Sequence, residues 1–305
     1  MKFRGLLIAV VILLALSGVL YWSNHHKPSE DTSASTTSPA SPAILKFDPG
    51  SVAQVALTRR GAAPVTLTRG KDDRWQITAP EPYAADQSVV SSLLASLSAL
   101  DADRVVEDKA SDLKPYGLDD PSVTLDITLK DHTEHKLLLG DNTPAGSDVY
   151  AMLEGDPRVF TIASYTKTSI DKGLDDLRDK KLFHFGFETP SKIELRAEGK
   201  SWILAHSGSD WWSDGRKMDN ASIDSLVEKL RDLTATSFPK SGFSKGEIEA
   251  TVTPNGGKQM ESVSIAKSGV AKRANDLSLY QLDPSTVTDL TSAANALKPA
   301  APAAK

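Results

Sequence analysis

Asp86–Leu100 reads DQSVVSSLLASLSAL, and the organisation of the whole chain can be worked outward from it. Val89, Val90, Leu93, Leu94, Leu97 and Leu100 recur at the 3.6-residue period of a helix with one apolar face. Asp86 stands at the N-cap, where a carboxylate accepts the orphan N–H groups of the first turn. The pattern returns at Met218–Leu233, MDNASIDSLVEKLRDL. Asp219 takes the place of Asp86, and Ile223, Leu226, Val227, Leu230 and Leu233 continue the stripe. Such an echo implies two copies of one unit. The outer face does not repeat: Ser88, Ser91, Ser92, Ser96 and Ser98 give way to Glu228, Lys229 and Arg231. The helix is therefore expected to be a structural keystone of each copy, packed on a sheet.

The flanks can be laid side by side. LKFDPGSVAQVALTR (45–59) is matched by FGFETPSKIELR (185–196), with Phe47 beside Phe187 and Asp48 beside Glu188. VTLTRGKDDRWQIT (65–78) and WILAHSGSDWWSDG (202–215) each read as a β-hairpin, two alternating runs around a polar turn. Trp75 and Trp212 are expected at equivalent places on the returning strand. After the helix, SVTLDITLKDHTEHKLLLG (122–140) answers EIEATVTPNGGKQMESVSIA (247–266). DVYAMLEGDPRVFTI (148–162) is then laid on LSLYQLDPSTVTDL (277–290), with Tyr150 beside Tyr280 and Pro157 beside Pro284. Each copy reads as an α+β unit, a mostly antiparallel sheet covered by a helix. The expected divisions are residues 44–182 for the first copy and 183–297 for the second, with a disordered tail at 298–305.

Composition fits this plan. A length of 305 residues suggests about two domains, and a quarter of the residues are charged, as in ordinary globular proteins. The net charge of −5 argues against a nucleic-acid partner, which needs a concentrated basic face. Lys267, Lys272 and Arg273 form the densest basic cluster after the N-terminus and read as a solvated loop. The absence of cysteine removes disulfides, thiolate nucleophiles, thiolate metal sites and a lipid-modified cysteine together.

The N-terminus speaks to location. Lys2 and Arg4 precede an uncharged apolar run from Gly5 to Trp22. As a helix its eighteen residues would reach about 27 Å, enough for a hydrocarbon core. Lys2 and Arg4 would stay cytoplasmic, with Tyr21 and Trp22 at the opposite interface. Residues 1–22 are thus expected to be a single-pass membrane anchor; a cleaved signal peptide, with Ala15 and Ser17 before the cut, is the competing reading. Either exports the remainder to the periplasm or exterior. Residues 23–43, rich in Ser, Thr, Pro and Ala, read as a disordered tether.

LKPYGLDDPSVTLDITLKD (113–131), LLLG ending at Gly140, Tyr150, and LRDKKLF from Leu177 carry a resemblance. They resemble an uncharacterised bacterial family of membrane-anchored proteins with "domain of unknown function 4340", often encoded beside gliding-motility-type ABC transporters. Tyr116-Gly117-Leu118-Asp119 followed by Pro121 is the most specific piece, and nothing between Ser237 and Glu247 repeats it. The resemblance implies an extracytoplasmic accessory component, and supplies no catalytic residues.

His132, Glu134 and His135 suggest a metal site, but a spacing of three at a hairpin tip puts the two imidazoles on opposite faces of a strand. A solvated turn is expected there, and His184 and His206 are read as structural. Gly199-Lys200-Ser201 lacks the upstream glycine and the strand-to-helix setting of a phosphate loop. Ser164 and Lys167 form an S-x-x-K pair that recurs elsewhere by chance, and Ser164 reads better as a helix N-cap. Asp72-Asp73, Asp119-Asp120 and Asp175-Asp176 lack the spacing of a calcium loop. Most of Phe183, Phe185, Phe187, Trp202 and Trp212 are expected in the core, on the period-two rule for strands. Of the neighbours Trp211 and Trp212 one must face outward, and Trp211 is taken to be that one.

No catalytic, cofactor or metal residues are assigned, and no cofactor is expected. Tyr116 and Trp211 are the expected partner surface. The expected function is a membrane-anchored, extracytoplasmic binding or scaffolding module, accessory to an ABC-type transporter or envelope complex. The alternatives are an exported hydrolase whose site is assembled by the fold, and a structural envelope spacer.

Overall fold

The computed structural model describes residues 41–301, apart from 257, 258 and 275. The apolar run at 5–22 and most of the tether lie outside the described residues. No helix among the described residues is long and apolar enough to cross a membrane.

The protein is α+β, with two large antiparallel sheets and a few helices. A short strand β1 (Ala43–Lys46) leads into β2 (Val52–Arg59), β3 (Val65–Arg69), β4 (Trp75–Ala79) and β5 (Tyr83–Ala84). Helix α1 (Gln87–Ser98) follows, then β6 (Ala99–Asp101), β7 (Arg104–Glu107), β8 (Val123–Leu129) and β9 (Glu134–Asn142). Strands β10 (Asp148–Leu153) and β11 (Val159–Ala163), with helices α2 (Ser164–Ile170) and α3 (Leu174–Leu177), complete the first half. Its sheet runs β5-β4-β3-β2-β8-β9-β10-β11-β7, while β1 pairs with β6 apart from it.

The second half repeats that plan. Strands β12 (Lys192–Ala197), β13 (Lys200–Ser207), β14 (Asp210–Ser213) and β15 (Arg216–Lys217) precede α4 (Asn220–Arg231). Then come β16 (Ala235–Ser237), β17 (Gly246–Thr253), β18 (Glu261–Ala266), β19 (Val270–Arg273), β20 (Leu279–Leu282) and α5 (Pro284–Asn295). The sheet order β15-β14-β13-β12-β17-β18-β19-β20-β16 is the first sheet's order element for element.

The helices form as the apolar stripe and caps require. Asp86 accepts from the N–H groups of Ser88 and Val89, and Asp219 from that of Ser222. Val90, Leu93, Leu94 and Leu97 are buried in one core with Val55, Leu57, Leu67 and Ile77 of the sheet. Each such side chain contributes roughly 1.5–3 kcal/mol on leaving water. Ile223, Leu226, Val227 and Leu230 are their counterparts in a second, separate core.

Several details differ from expectation. The hydrogen-bonded register sets β11 against β20, so Phe160, paired with Ala151, is the counterpart of Tyr280, paired with Ala271. Tyr150 therefore does not correspond to Tyr280, and Pro157 does not correspond to Pro284, which opens α5. The expected tail is tied down at its start: Asp219 N–H donates to Lys298 O and Ala300 N–H to Lys217 O, each at 3.0 Å. The first half closes in the same way, through Asp86 N–H to Leu177 O and Asp179 N–H to Ala84 O, each at 2.9 Å. The second half begins slightly earlier than residue 183. Ala235 N–H donates to Lys180 O at 2.8 Å and Leu182 N–H to Leu233 O at 3.0 Å, and Leu182 lies in the second core. One linker thus finishes the first sheet edge and starts the second unit without a spacer.

Candidate functional site at the junction of the two sheets

The linker Arg178–His184 takes part in a polar network with Arg273, Asp276, Ser278 and Tyr280 of the second half. Arg178 is buried, its guanidinium lying 3.9 Å from the Tyr83 ring centroid and 3.5 Å from that of Phe238. One ring belongs to each half, so the cation is sandwiched across the junction. Its NH2 donates to Ser278 Oγ at 2.9 Å.

Beyond it, His184 Nε2 bonds Asp179 Oδ2 at 2.6 Å, and Arg273 NH2 approaches His184 Nδ1 at 3.3 Å. A guanidinium has only donors, so Nδ1 must accept and Nε2 must carry the proton. Tyr280 OH donates to Asp276 Oδ2 at 2.6 Å, and Arg273 lies 3.9 Å from the same carboxylate. Burial works to raise the Asp179 pKa, but the His184 bond, the Lys181 N–H and Arg273 outweigh it and hold the carboxyl below its ordinary range. Asp276 is lowered in the same manner, with burial opposed by Tyr280 and Ser278. Burial, and then the Asp276 bond, push Tyr280 up to about 12.

Two cavities flank this linker. The larger, about 460 Å³, lies between Tyr83, Ile77 and Gln76 of the first half and Asp276, Leu277 and Ser278 of the second. The smaller, about 220 Å³, is lined by Asp86, Ser88, Asp179, Lys181 and His184. Arg74, Ala85 and Gln87 border both. The Ser88 hydroxyl donates to the capping carboxylate of Asp86, and both His184 ring nitrogens are engaged. The arrangement clamps two sheets together and leaves no imidazole lone pair facing a substrate. Neither ring nitrogen of His184 is left free for proton transfer.

The residues singled out in the sequence lie elsewhere. Tyr116 ends a short 3-10 turn, Lys114–Tyr116, that Gly117 closes at φ +64°. Its hydroxyl donates to Glu107 at 2.6 Å and its ring meets Tyr150 edge-on at 5.0 Å. That bond to Glu107 raises its pKa. Arg60 binds the Asp120 carbonyl and carboxylate, and the Ser122 hydroxyl donates to the carbonyls of Leu139 and Gly140. The Y-G-L-D-D-P run is thus a turn stitched to the end of β9, with its aromatic ring half-buried.

Trp211 does not form an outward surface. It is 1% exposed in the second core, while Trp212 is 39% exposed. Trp211, not Trp212, is the counterpart of Trp75, which is also buried. Phe183 and Phe185 are core, but Phe187 is exposed, because 183–187 is an irregular segment instead of a strand. Ser164 is the first residue of α2, not its cap; Ala163 holds that place without a side-chain bond. Ser164 and Lys167 do not engage each other: Lys167 Nζ donates to Ser122 Oγ at 3.0 Å.

His132 sits in the β8–β9 turn at φ +68°. His135 lines a cavity of about 330 Å³ with Asp126, Glu134 and Glu154, and Lys136 lies 3.7 Å from Asp126 and 3.4 Å from Glu154. The two histidines are not brought to one cavity. Among the described residues no cluster of three His, Asp or Glu side chains is arranged to hold a metal ion.

Fold and junction together define a class: a tandem α+β protein of two like sheets locked by a cation-centred clamp. The family described as Domain of unknown function (DUF4340) matches residues 75–252, more than half the chain, and the protein belongs to that family. No curated protein and no solved structure matches it.

Proposed function

We propose that the protein is a membrane-anchored, extracytoplasmic binding or scaffolding module, without catalysis of its own, serving an ABC-type transporter or envelope complex. The observation that carries this reading is the junction, where Arg178 lies between the Tyr83 and Phe238 rings and bonds Ser278, and Asp179 meets His184 and Arg273. Polar groups spent on mutual contacts make a rigid platform, and a platform suits holding a partner. The basic residues and apolar run at the N-terminus support an anchor that leaves the two halves outside.

The experiment is purification of the full chain from its own membranes in mild detergent, followed by identification of what accompanies it. Stoichiometric recovery of transporter or envelope-complex subunits is expected. Recovery of the chain alone, from cells that express such a complex, overturns the reading.

A further inference from the structure

We infer that the outer face of the second sheet, around Ile203 and Trp212, is where two copies of this chain meet as a homodimer, sheet against sheet. The inference goes beyond the scaffold reading and holds whether or not other subunits accompany the chain.

The duplication supplies an internal control. Leu57 pairs with Val65 and Leu125 in the first sheet as Leu195 pairs with Trp202 and Ala250 in the second, so the two registers superpose. Thr66, Thr68 and Gln76 then correspond to Ile203, Ala205 and Trp212. Polar residues of the first half are apolar at the same places in the second. Leu204 and Trp211, which alternate with them, are buried in the core, whereas Ile203 is 55% and Trp212 39% exposed. Ala205 joins the two, next outward residue to Ile203 on β13 and opposite Trp212 on β14. An apolar cluster gained on one of two like sheets, and left open there, marks a contact surface.

Charge selects the occupant. The ionic groups beside the cluster come in opposite-sign pairs: Lys192 with Glu194, Lys217 with Asp210 at 2.9 Å, and Arg196 with Glu249 at 2.6 Å. These pairs leave no excess of either sign to draw a polyanion, a polycation or an anionic bilayer. The face does match itself. Lys192 pairs with Ala205 and Glu194 with Ile203, so these two pairs form adjacent outward rows across β12 and β13. A two-fold axis lying in the interface, across the strands and between the rows, sets each Lys192 over the second copy's Glu194. The same axis sets each Ala205 over the second copy's Ile203. Sheets packed face to face in this way lie about 10 Å apart. A footprint of about four strands by about five residues covers roughly 19 by 17 Å, at the low end of specific interfaces, so the dimer is a reversible one.

The test reconstitutes the full chain in phosphatidylcholine vesicles and reads energy transfer between donor- and acceptor-labelled copies. The chain has no cysteine, so Ser225→Cys, exposed on α4 on the other side of the sheet, gives a single labelling site. Transfer that rises with protein density and is competed by unlabelled chain is expected. Ile203→Thr with Trp212→Gln, which installs the first half's own residues, should weaken association by more than about tenfold. An unchanged melting curve confirms that this variant is folded. Glu194→Lys alone and Lys192→Glu alone should each weaken association about tenfold by setting like charges together. Mixing those two variants should restore it, because the axis then opposes unlike charges again. Absence of density-dependent transfer in the wild type, transfer unchanged by the apolar replacement, or charge variants that stay apart when mixed each overturns the inference. A wild-type chain that gives no transfer, yet co-purifies with a foreign subunit that the apolar replacement releases, overturns it in favour of that partner. Recovery of the chain without transporter or envelope subunits removes the scaffold reading and leaves the energy-transfer result standing.

Discussion

Gln87 and Trp75 exchange two hydrogen bonds: the Trp75 N–H donates to Gln87 Oε1 at 2.8 Å, and Gln87 Nε2 donates to the Trp75 carbonyl at 2.9 Å. The first residue of α1 is thereby pinned to the start of β4. The second half repeats half of this contact, with the Trp211 N–H donating to Asn220 Oδ1 at 3.3 Å. Asn220 opens α4 as Gln87 opens α1, so the tether from hairpin to helix is part of the shared plan. It also shows which tryptophan is the equivalent of Trp75.

That equivalence gives the first prediction. Trp211→Ala removes a core ring and should cost about 3–5 kcal/mol. Trp212→Ala, on the open face of the same strand, should cost less than about 1 kcal/mol. Urea melts of the two variants check this, and equal losses would contradict the assignment of faces.

The tryptophan result shows where the sequence stops being readable. Helix stripes and caps were legible because they depend on neighbours three and four residues apart, and both Asp86 and Asp219 cap as their positions implied. The antiparallel α+β class was legible for the same local reason, since alternation and turns mark each strand. Register was not. A strand alternates every residue, so one step of misalignment exchanges Trp211 for Trp212 and inverts the face. Tyr150 and Tyr280 went astray similarly: they were matched by residue type, while sheet order and register make Tyr280 the counterpart of Phe160. The junction was less legible still, because Tyr83, Arg178, Phe238 and Arg273 meet only after both sheets have formed. The available signal was a linker, Arg178–His184, carrying arginine, aspartate and histidine where a spacer would be small and neutral.

Glycines test the Y-G-L-D-D-P turn. A methyl group on Gly140 would collide with the Tyr116 carbonyl oxygen, and one on Gly117 with the Asp141 carboxylate. Gly117 also holds φ +64°, which costs a side chain roughly 1–2 kcal/mol by itself. Gly61, at φ +74°, meets nothing within 4 Å. Gly61→Ala should therefore cost about 1 kcal/mol, and Gly140→Ala about 3 kcal/mol or more because backbone must move. Thermal melts distinguish them; a Gly140→Ala protein as stable as Gly61→Ala would place Tyr116 elsewhere.

Arg178 joins the halves, so its loss should change cooperativity as well as stability. A desolvated cation–π contact contributes about 2 kcal/mol, and Arg178 makes two. Arg178→Ala should lower stability by about 2–4 kcal/mol and split one calorimetric transition into two. Arg178→Lys keeps the charge but not the planar stacking, and should recover less than about half of the loss. A single unshifted transition in the alanine variant would mean that the rings, not the cation, carry the contact.

Acid should open the same junction by way of Asp179. Its folded pKa is depressed: burial opposes ionisation, and the His184 bond, the Lys181 N–H and Arg273 prevail. A carboxyl lowered on folding binds fewer protons in the native state than in the unfolded one. Its contribution is therefore fully present above the unfolded value of about 3.9 and is lost as pH falls through the folded value. Asp179→Asn can still accept from His184 but carries no charge to lower, so it removes a charge-assisted bond of about 1.5–3 kcal/mol at neutral pH. The loss should shrink as pH falls through the folded Asp179 value, where the wild-type carboxyl is itself protonated. Stability curves at intervals from neutrality to strongly acidic pH provide the measurement. A difference between the two proteins that stays constant across that range would show that Asp179 titrates alike in both states and that the clamp draws nothing from its charge.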